Sequence, residues 1–264
     1  MKTTERKPNF SIITATLNAE RNLERCIHSV FSQKNINVEH ILVDGESSDE
    51  TAAIIIKWAA KNKQLKYIIE KDQGIYDAWN KGVKIATGSW VLFLGADDFL
   101  LQDDVLMQIQ NDIMIKHEKP AFLSSLLIKG DSERIERGGR LKAERFVENM
   151  YDGPIITMPP QPALFHSKAI FDEGYKFDAK YKTAADKKLF LQLFGVADIQ
   201  YIDVITTYFS LGGVTNRSGN LLARWLEKNR LRKELRMPIV PYFFFRSLIG
   251  AFLRDLLYYA QRFK

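Results

Sequence analysis

The residues best placed to do chemistry are two adjacent carboxylates, Asp97 and Asp98, which close the stretch Ser89-Trp-Val-Leu-Phe-Leu-Gly-Ala-Asp-Asp98. The apolar run 90–94 reads as a strand covered on both faces, because it lacks the alternation of a half-solvated strand. In open α/β sheets ligands lie beyond the carboxyl ends of the strands, so the pair would stand at the rim of a pocket. Oxygen ligands of this kind suit a hard cation such as Mg²⁺, which is often held by one or two carboxylates plus substrate phosphates. An isolated Asp-Asp pair is more often the cap of a following helix, here one beginning near Asp103, so context has to decide.

The elements that would position the pair alternate along the chain. Residues 10–17, 38–43, 65–70 and 90–94 have strand composition, and helical patterns occupy 23–31, 51–62 and 74–86 between them. Strands and helices in this alternation specify βαβ units, hence a parallel sheet with helices on both faces. Two further strands also run into acids: Asp44 begins the turn Asp44-Gly-Glu-Ser-Ser-Asp-Glu-Thr51, and Asp72 lies just beyond Glu70. Parallel topology brings all three ends to one edge, where a group of carboxylates is hard to call incidental.

Several other chemistries lack their signatures. No Gly-x-Gly-x-x-Gly follows the first strand and no Gly-x-x-x-x-Gly-Lys-Ser/Thr occurs, which argues against a dinucleotide oxidoreductase and a P-loop protein. His28, His40, His117 and His166 are scattered, without zinc spacing. His166 reads as a partly buried histidine, and the single cysteine, Cys26, as a small core residue in the 23–31 helix. One cysteine excludes an internal disulfide framework, and residues 1–9 contain no apolar core of a secretory signal. What remains is an acidic rim suited to a divalent cation and a phosphorylated ligand.

Downstream, a helix is expected over 101–117, a strand over 121–128 and an exposed loop or hairpin over 129–140. Prolines flank Gln161 and lead rigidly into a strand. Asp186, in Thr183-Ala-Ala-Asp186, stands near the start of a helix through Leu189, Phe190 and Leu193, where an acid is stabilised by the macrodipole. A strand at 199–205 and a glycine-containing segment at 209–219 follow. Lys81 would either add positive charge near phosphates or be a solvated lysine on the 74–86 helix.

The net charge of +6 is unevenly placed. Residues 221–264 carry ten Lys/Arg against three Asp/Glu, whereas residues 1–220 carry 28 against 29. One domain at 1–220 followed by a basic helical tail at 221–264 is the expected organisation. In the tail, Phe245, Leu248, Phe252, Leu256, Tyr259 and Phe263 share a helical face opposite Arg246, Arg254 and Arg262. Charges interrupt it too often for a spanning helix. A helix lying in a membrane interface, or packed on protein, fits the stripe, while the segregation of aromatics from arginines argues against nucleic acid.

Four of these stretches, taken together and in order, resemble the family 2 glycosyltransferases: Ser11-Ile-Ile-Thr-Ala-Thr-Leu-Asn18, Val43-Asp-Gly-Glu-Ser-Ser-Asp-Glu-Thr51, Asp72-Gln-Gly-Ile-Tyr-Asp-Ala-Trp-Asn-Lys-Gly82 and Ala86-Thr-Gly-Ser-Trp-Val-Leu-Phe-Leu-Gly-Ala-Asp-Asp98. The resemblance covers residues 9 to about 215. It implies a GT-A fold, a mostly parallel nucleotide-sugar-binding sheet with helices on both faces. It further implies that Asp44 reads the nucleobase and that Asp97 lies near the ribose; Thr14, Asp72 and Lys81 complete the expected donor site. Asp98 would hold a divalent cation, Mn²⁺ or Mg²⁺, on the diphosphate, and Asp186 would be the general base of an inverting transfer. The family often has a further Asp at the positions of Gly45 and Gly95, and this chain departs from it there. The implied function is transfer of a sugar from a nucleotide donor, UDP-linked, to a glycan or lipid-linked acceptor in cell-surface polysaccharide assembly, from a cytoplasmic position at the inner face of the membrane. Two rivals make different demands: a sugar nucleotidyltransferase would need a glycine- and basic-rich triphosphate loop, absent after the first strand. A non-catalytic scaffold of the same fold would need neither Asp98 nor Asp186.

Overall fold

The structure is a computed structural model in which residues 8–116, 121–130, 134–137, 159–193, 198–210 and 221–236 are described. Its first half follows the alternation in the sequence. Strands β1 (Phe10–Thr16), β2 (Val38–Asp44), β3 (Leu65–Ile69) and β4 (Trp90–Phe93) are separated by helices α1 (Leu23–Phe31), α2 (Thr51–Ala59) and α3 (Ile75–Ile85). The strands pair in parallel in the order β3-β2-β1-β4, with Phe10 opposite both Val38 and Trp90. Every residue of β2 is buried, as an interior strand covered on both faces requires.

Helix α3 covers one face through Tyr76, Ala78, Trp79, Gly82 and Val83, a spacing that gathers them on one side of the helix. Gly82 lets it approach closely, since a Cβ there would stand 2.6 Å from Cγ2 of Ile13. On the other face Cys26 and Val30 of α1 pack with Phe10, Ile12 and Val38. At the amino edge the buried Glu39 accepts hydrogen bonds from Ser11 Oγ (2.6 Å), Thr87 N (2.6 Å) and Gly88 N (3.1 Å) and pairs with Lys66 (2.6 Å). One carboxylate thus ties the starts of β1 and β2 to the turn before β4.

The second half comprises β5 (Phe99–Leu100), α4 (Val105–Lys116), β6 (Phe122–Lys129), β7 (Arg134–Arg137), β8 (Leu164–Ser167), α5 (Lys168–Asp172), α6 (Ala185–Leu193), β9 (Ile199–Phe209) and α7 (Leu221–Glu234). Here the sheet departs from a mostly parallel arrangement. Strand β8 runs antiparallel to both β4 and β6, β5 is antiparallel to β9, β7 to β6, and only β6 and β9 are parallel. The stretch expected as a loop or hairpin contributes β7, paired with the end of β6. Strand β9 runs four residues past the expected 205, because its far end meets β5, with Phe99 and Tyr208 stacked at 4.8 Å.

An aromatic wall joins the halves: Trp79, Phe93 and Phe177 lie with ring centroids 4.7 to 5.2 Å apart. His166 packs edge-on to Phe93 and Phe122 at 5.2 Å, and burial pushes its imidazole down to about 3. It is a neutral core ring, more deeply buried than the sequence suggested. Helix α7, the start of the basic tail, places Leu231 in the same core as Leu189 and Phe190. The expected amphipathic helix beyond 236 and most of the 209–219 segment lie outside the described residues. Among the described residues no helix is long and apolar enough to cross a membrane.

Candidate active site

The parallel half brings Asp44, Asp72 and the Asp97-Asp98 pair to one edge, each with a different degree of freedom. Asp44, the last residue of β2, is fully buried. Its Oδ1 accepts from Thr16 Oγ1 (2.7 Å) and Ser47 Oγ (2.6 Å), and its Oδ2 from Ser47 N (2.8 Å). It shapes the turn after β2, in which Asp49 in turn accepts from the amides of Glu20 (3.2 Å) and Thr51 (3.0 Å) where α2 begins.

Asp72 leans over the next residue. A Cβ on Gly45 would meet Asp72 Oδ2 at 2.6 Å, so the missing side chain is what admits the carboxylate. Its Oδ1 accepts from Gly74 N (2.8 Å), and Gly74 has φ of 121°, a conformation that L side chains rarely adopt. The departure from the family at Gly45 is therefore accompanied by a neighbouring acid in the vacated space.

Two expected donor contacts are turned elsewhere. Thr14 is fully buried, with its hydroxyl 3.0 Å from Nε2 of His40 and 3.8 Å from Sγ of Cys26, whereas Thr16 is the hydroxyl that reaches Asp44. Lys81 donates to the carbonyl of Lys71 (2.8 Å) and pairs with Glu70 (2.9 Å) and Asp77 (3.5 Å). Its ammonium braces the chain between β3 and α3.

Asp97 and Asp98 lie in a tight corner between β4 and β5. Asp98 is 2 % exposed, while Asp97 is half-buried. Burial pushes the Asp98 carboxyl up to about 7, with Asp97 adding to the effect and the amide of Ser210 opposing it. That amide donates to Asp98 Oδ1 (2.8 Å), and Ser210 Oγ and Arg25 Nη2 donate to the carbonyl of Asp97 (2.6 and 3.0 Å). A Cβ on Gly95 would lie 2.5 Å from Asp98 Oδ2. The thiol of Cys26, which burial pushes up to about 12, donates to the Gly95 carbonyl at 3.5 Å.

Asp186 opens α6, as expected. Tyr76, in the first turn of α3, donates to its Oδ1 at 2.9 Å. Burial holds the Asp186 carboxyl above the ordinary carboxylate range, against the opposing pulls of Lys187 and the Tyr76 hydroxyl. The loop before it is fixed from two sides. Lys182 Nζ donates to the carbonyl of Gln73, and Glu227 of α7 accepts from Lys182 N, Thr183 N (2.8 Å) and Thr183 Oγ1 (2.6 Å). Residues 72–76 and 182–186 thereby meet.

Sequence reasoning did not single out Tyr76, Ser210 or Glu227. Only Tyr76 had a local signal: it lies on the buried face of α3, and a buried phenol needs a partner. Among the described residues no three His, Cys, Asp or Glu side chains gather as a metal-binding group. A buried carboxylate beside a second one, with one oxygen held by an amide, nevertheless fits a cation whose other ligands come from water and phosphate.

A parallel nucleotide-binding half with acids at its carboxyl edge, joined to an antiparallel half that carries a further acid, is the architecture of GT-A glycosyltransferases. The family model for glycosyl transferase family 2 matches residues 11–171, and the chain belongs to that family and is a glycosyltransferase. That match ends before Asp186. A "PGL/p-HBAD biosynthesis glycosyltransferase" of Mycobacterium bovis is 34% identical over 220 residues, covering 79% of this chain and 80% of the relative. The "Chondroitin synthase" of Escherichia coli is 26% identical over 212 residues, 77% of this chain but 29% of that protein. Among solved structures, S. aureus TarS 1-349 in complex with UDP-GlcNAc has a TM-score of 0.68 at 19% identity, covering 93% of this chain and 72% of that one. The mannosyltransferase PcManGT from Pyrobaculum calidifontis, in complex with GDP-Man and Mn2+, has a TM-score of 0.62 at 15% identity, covering 94% and 74%.

Proposed function

We propose that the protein is an inverting, metal-dependent glycosyltransferase that moves a sugar from a UDP-linked donor to a glycan or lipid-linked acceptor in cell-surface polysaccharide assembly. The observation that carries this reading is the division of labour among its acids. Asp98 is buried beside Asp97, where a cation would relieve its charge, whereas Asp186 is a separate half-buried carboxylate that accepts from the Tyr76 phenol. Asp98, with Asp97 beside it, would hold Mn²⁺ or Mg²⁺, which neutralises charge developing on a diphosphate leaving group. Asp44 and Asp72 lie at the other end of the edge, where the nucleobase would bind, and Lys81 braces the chain beside Asp72.

Asp186 would accept the proton of the acceptor hydroxyl as it attacks the anomeric carbon, and a carboxylate held above its ordinary range is a stronger base for that step. A single displacement with inversion follows from one base opposite the leaving group. Support for UDP comes from the TarS complexes with UDP and UDP-GlcNAc, and for a cation from the Mn2+ complex of PcManGT. The name of the chondroitin synthase relative favours a glycan acceptor. The basic charge of residues 221–264 favours contact with an anionic membrane surface and a place at its cytoplasmic face.

Calorimetric titration of UDP-, GDP-, dTDP- and CMP-linked sugars, with Mn²⁺, Mg²⁺ or chelator, tests the donor half. Wild type should bind a UDP-sugar only with metal, Asp98→Asn should lose that binding, and Asp186→Asn should keep it while losing transfer. Full transferase activity in both variants would falsify the site assignment.

A further inference from the structure

The segment leading into β8 is fixed before it reaches the strand. Pro160 sits at φ −61° and ψ 137°, and Gln161–Ala163 form a single 3-10 turn. Two hydroxyls hold that turn from behind: Ser125 Oγ donates to the carbonyl of Ala163 (3.0 Å) and Thr207 Oγ1 to that of Pro162 (2.6 Å). Leu92 stands opposite Phe165 in the antiparallel register of β4 and β8. Continuing that register carries the turn past the carboxyl end of β4, toward the corner that holds Asp97 and Asp98. Thr207 belongs to the same frame, three residues before Ser210, whose amide holds Asp98. The turn, the end of β9 and the acid pair therefore converge.

At this point of convergence the side chain of Gln161 is incomplete. Both Nε2 and Oε1 are closed off from solvent and neither has a hydrogen-bond partner. Buried polar groups are nearly always paired, and one left unpaired calls for an explanation. Other orphaned atoms, such as Nδ1 of His40 and Nδ1 of His166, are single positions on core rings that burial keeps neutral. Gln161 instead has a whole carboxamide without partners, two N–H donors and a carbonyl acceptor, a set that complements the adjacent hydroxyls or the amide substituent of a sugar.

We propose that Gln161 reads the transferred sugar of the donor, its amide pairing with sugar hydroxyls or an N-acyl group next to the diphosphate. This rests on the nucleotide-sugar reading of the site. Gln161 contributes to the sugar and nothing to the nucleotide, so it discriminates among donors that share one nucleoside diphosphate.

The test is calorimetric titration of UDP and of a panel of UDP-sugars, with Mn²⁺, into wild type, Gln161→Leu and Gln161→Asn. Wild type should bind one UDP-sugar more tightly than UDP. Gln161→Leu should keep its UDP affinity within about twofold and lose affinity for that sugar nucleotide by roughly tenfold or more, with Gln161→Asn between them. The apo Leu variant should melt no lower than wild type, because it removes an unpaired amide. An unchanged ratio of UDP-sugar to UDP affinity in Gln161→Leu overturns the assignment, as does a change confined to the acceptor KM. A lowered melting point with that ratio unchanged makes the amide a structural group and overturns it too. Failure of wild type to bind any nucleotide or nucleotide sugar removes the donor reading itself, and is told apart by the absence of UDP binding.

Discussion

The phenolic oxygen of Tyr76 lies 2.9 Å from Oδ1 of Asp186 and joins the first turns of two helices separated by 110 residues of chain. Tyr76 is 5 % exposed, and burial raises its phenol beyond any working pH, so the hydroxyl stays a donor and the carboxylate the acceptor. Through this bond the helix that follows Asp72 also orients the acid proposed as the base.

Replacing Tyr76 by Phe should move the pH dependence of transfer. A base works ionised, so kcat/KM falls as pH drops through the pKa of Asp186, which burial already raises. Tyr76 favours the ionised form together with Lys187 and the backbone amides at the start of α6, and removal of the phenol hydroxyl takes one of these away. The acid limb of the profile should shift to higher pH, while the plateau at high pH falls by no more than about threefold. A fallen plateau over an unmoved limb would show that the hydroxyl only packs.

Gly45→Ala should separate binding from folding. The new Cβ would fall 2.6 Å from Asp72 Oδ2, while Asp72 Oδ1 is anchored to Gly74 N, so the carboxylate cannot swing away without losing that bond. UDP affinity should drop on the order of tenfold, the worth of one charge-assisted hydrogen bond. The melting temperature should hold, since the site is at the surface edge of the sheet. Unaltered UDP affinity would remove Asp72 from the nucleobase end.

Glu227→Ala should act on turnover rather than on donor binding. The carboxylate accepts three hydrogen bonds from Lys182 and Thr183, immediately before the helix that carries Asp186. Without it the loop loses its anchor and kcat should fall by about tenfold, because small misplacements of a reacting group are costly. The Kd for donor, measured by calorimetry, should stay within about twofold. If kcat is retained, α7 has no part in placing the base.

Much of the nucleotide half was legible because its signals are local. A continuous apolar run marked β4 and a shorter one at 41–43 marked β2, and turn residues followed by periodic apolar positions marked α2 and α3. Parallel topology then required that Asp44, Asp72 and Asp98 share an edge. The other half was less legible for physical reasons. Strand β5 is two residues long, and β7 reads Arg-Ile-Glu-Arg, so neither has a pattern to find. The pairing of β5 is decided by β9, more than 100 residues away in sequence, whereas β7 is placed by the end of the neighbouring β6. The hydroxyls of Thr14 and Thr16 have the same residue type and the same strand face, and only their depth separates a core group from one that meets Asp44. Lys81 could have been read more narrowly, since Asp77 stands four residues before it on the same helix and such a pair is a common surface bridge.

The clamp between Glu227 and Thr183 makes α7 and the loop that leads into Asp186 thermodynamic partners. Linkage is reciprocal: if docking of α7 favours the arrangement of Asp186 that engages an acceptor, an engaged acceptor favours docking of α7 by the same factor. Helix α7 opens the most basic part of the chain. Whatever holds that part in place, a surface or another protein, would then sense whether the enzyme is loaded, without touching either substrate.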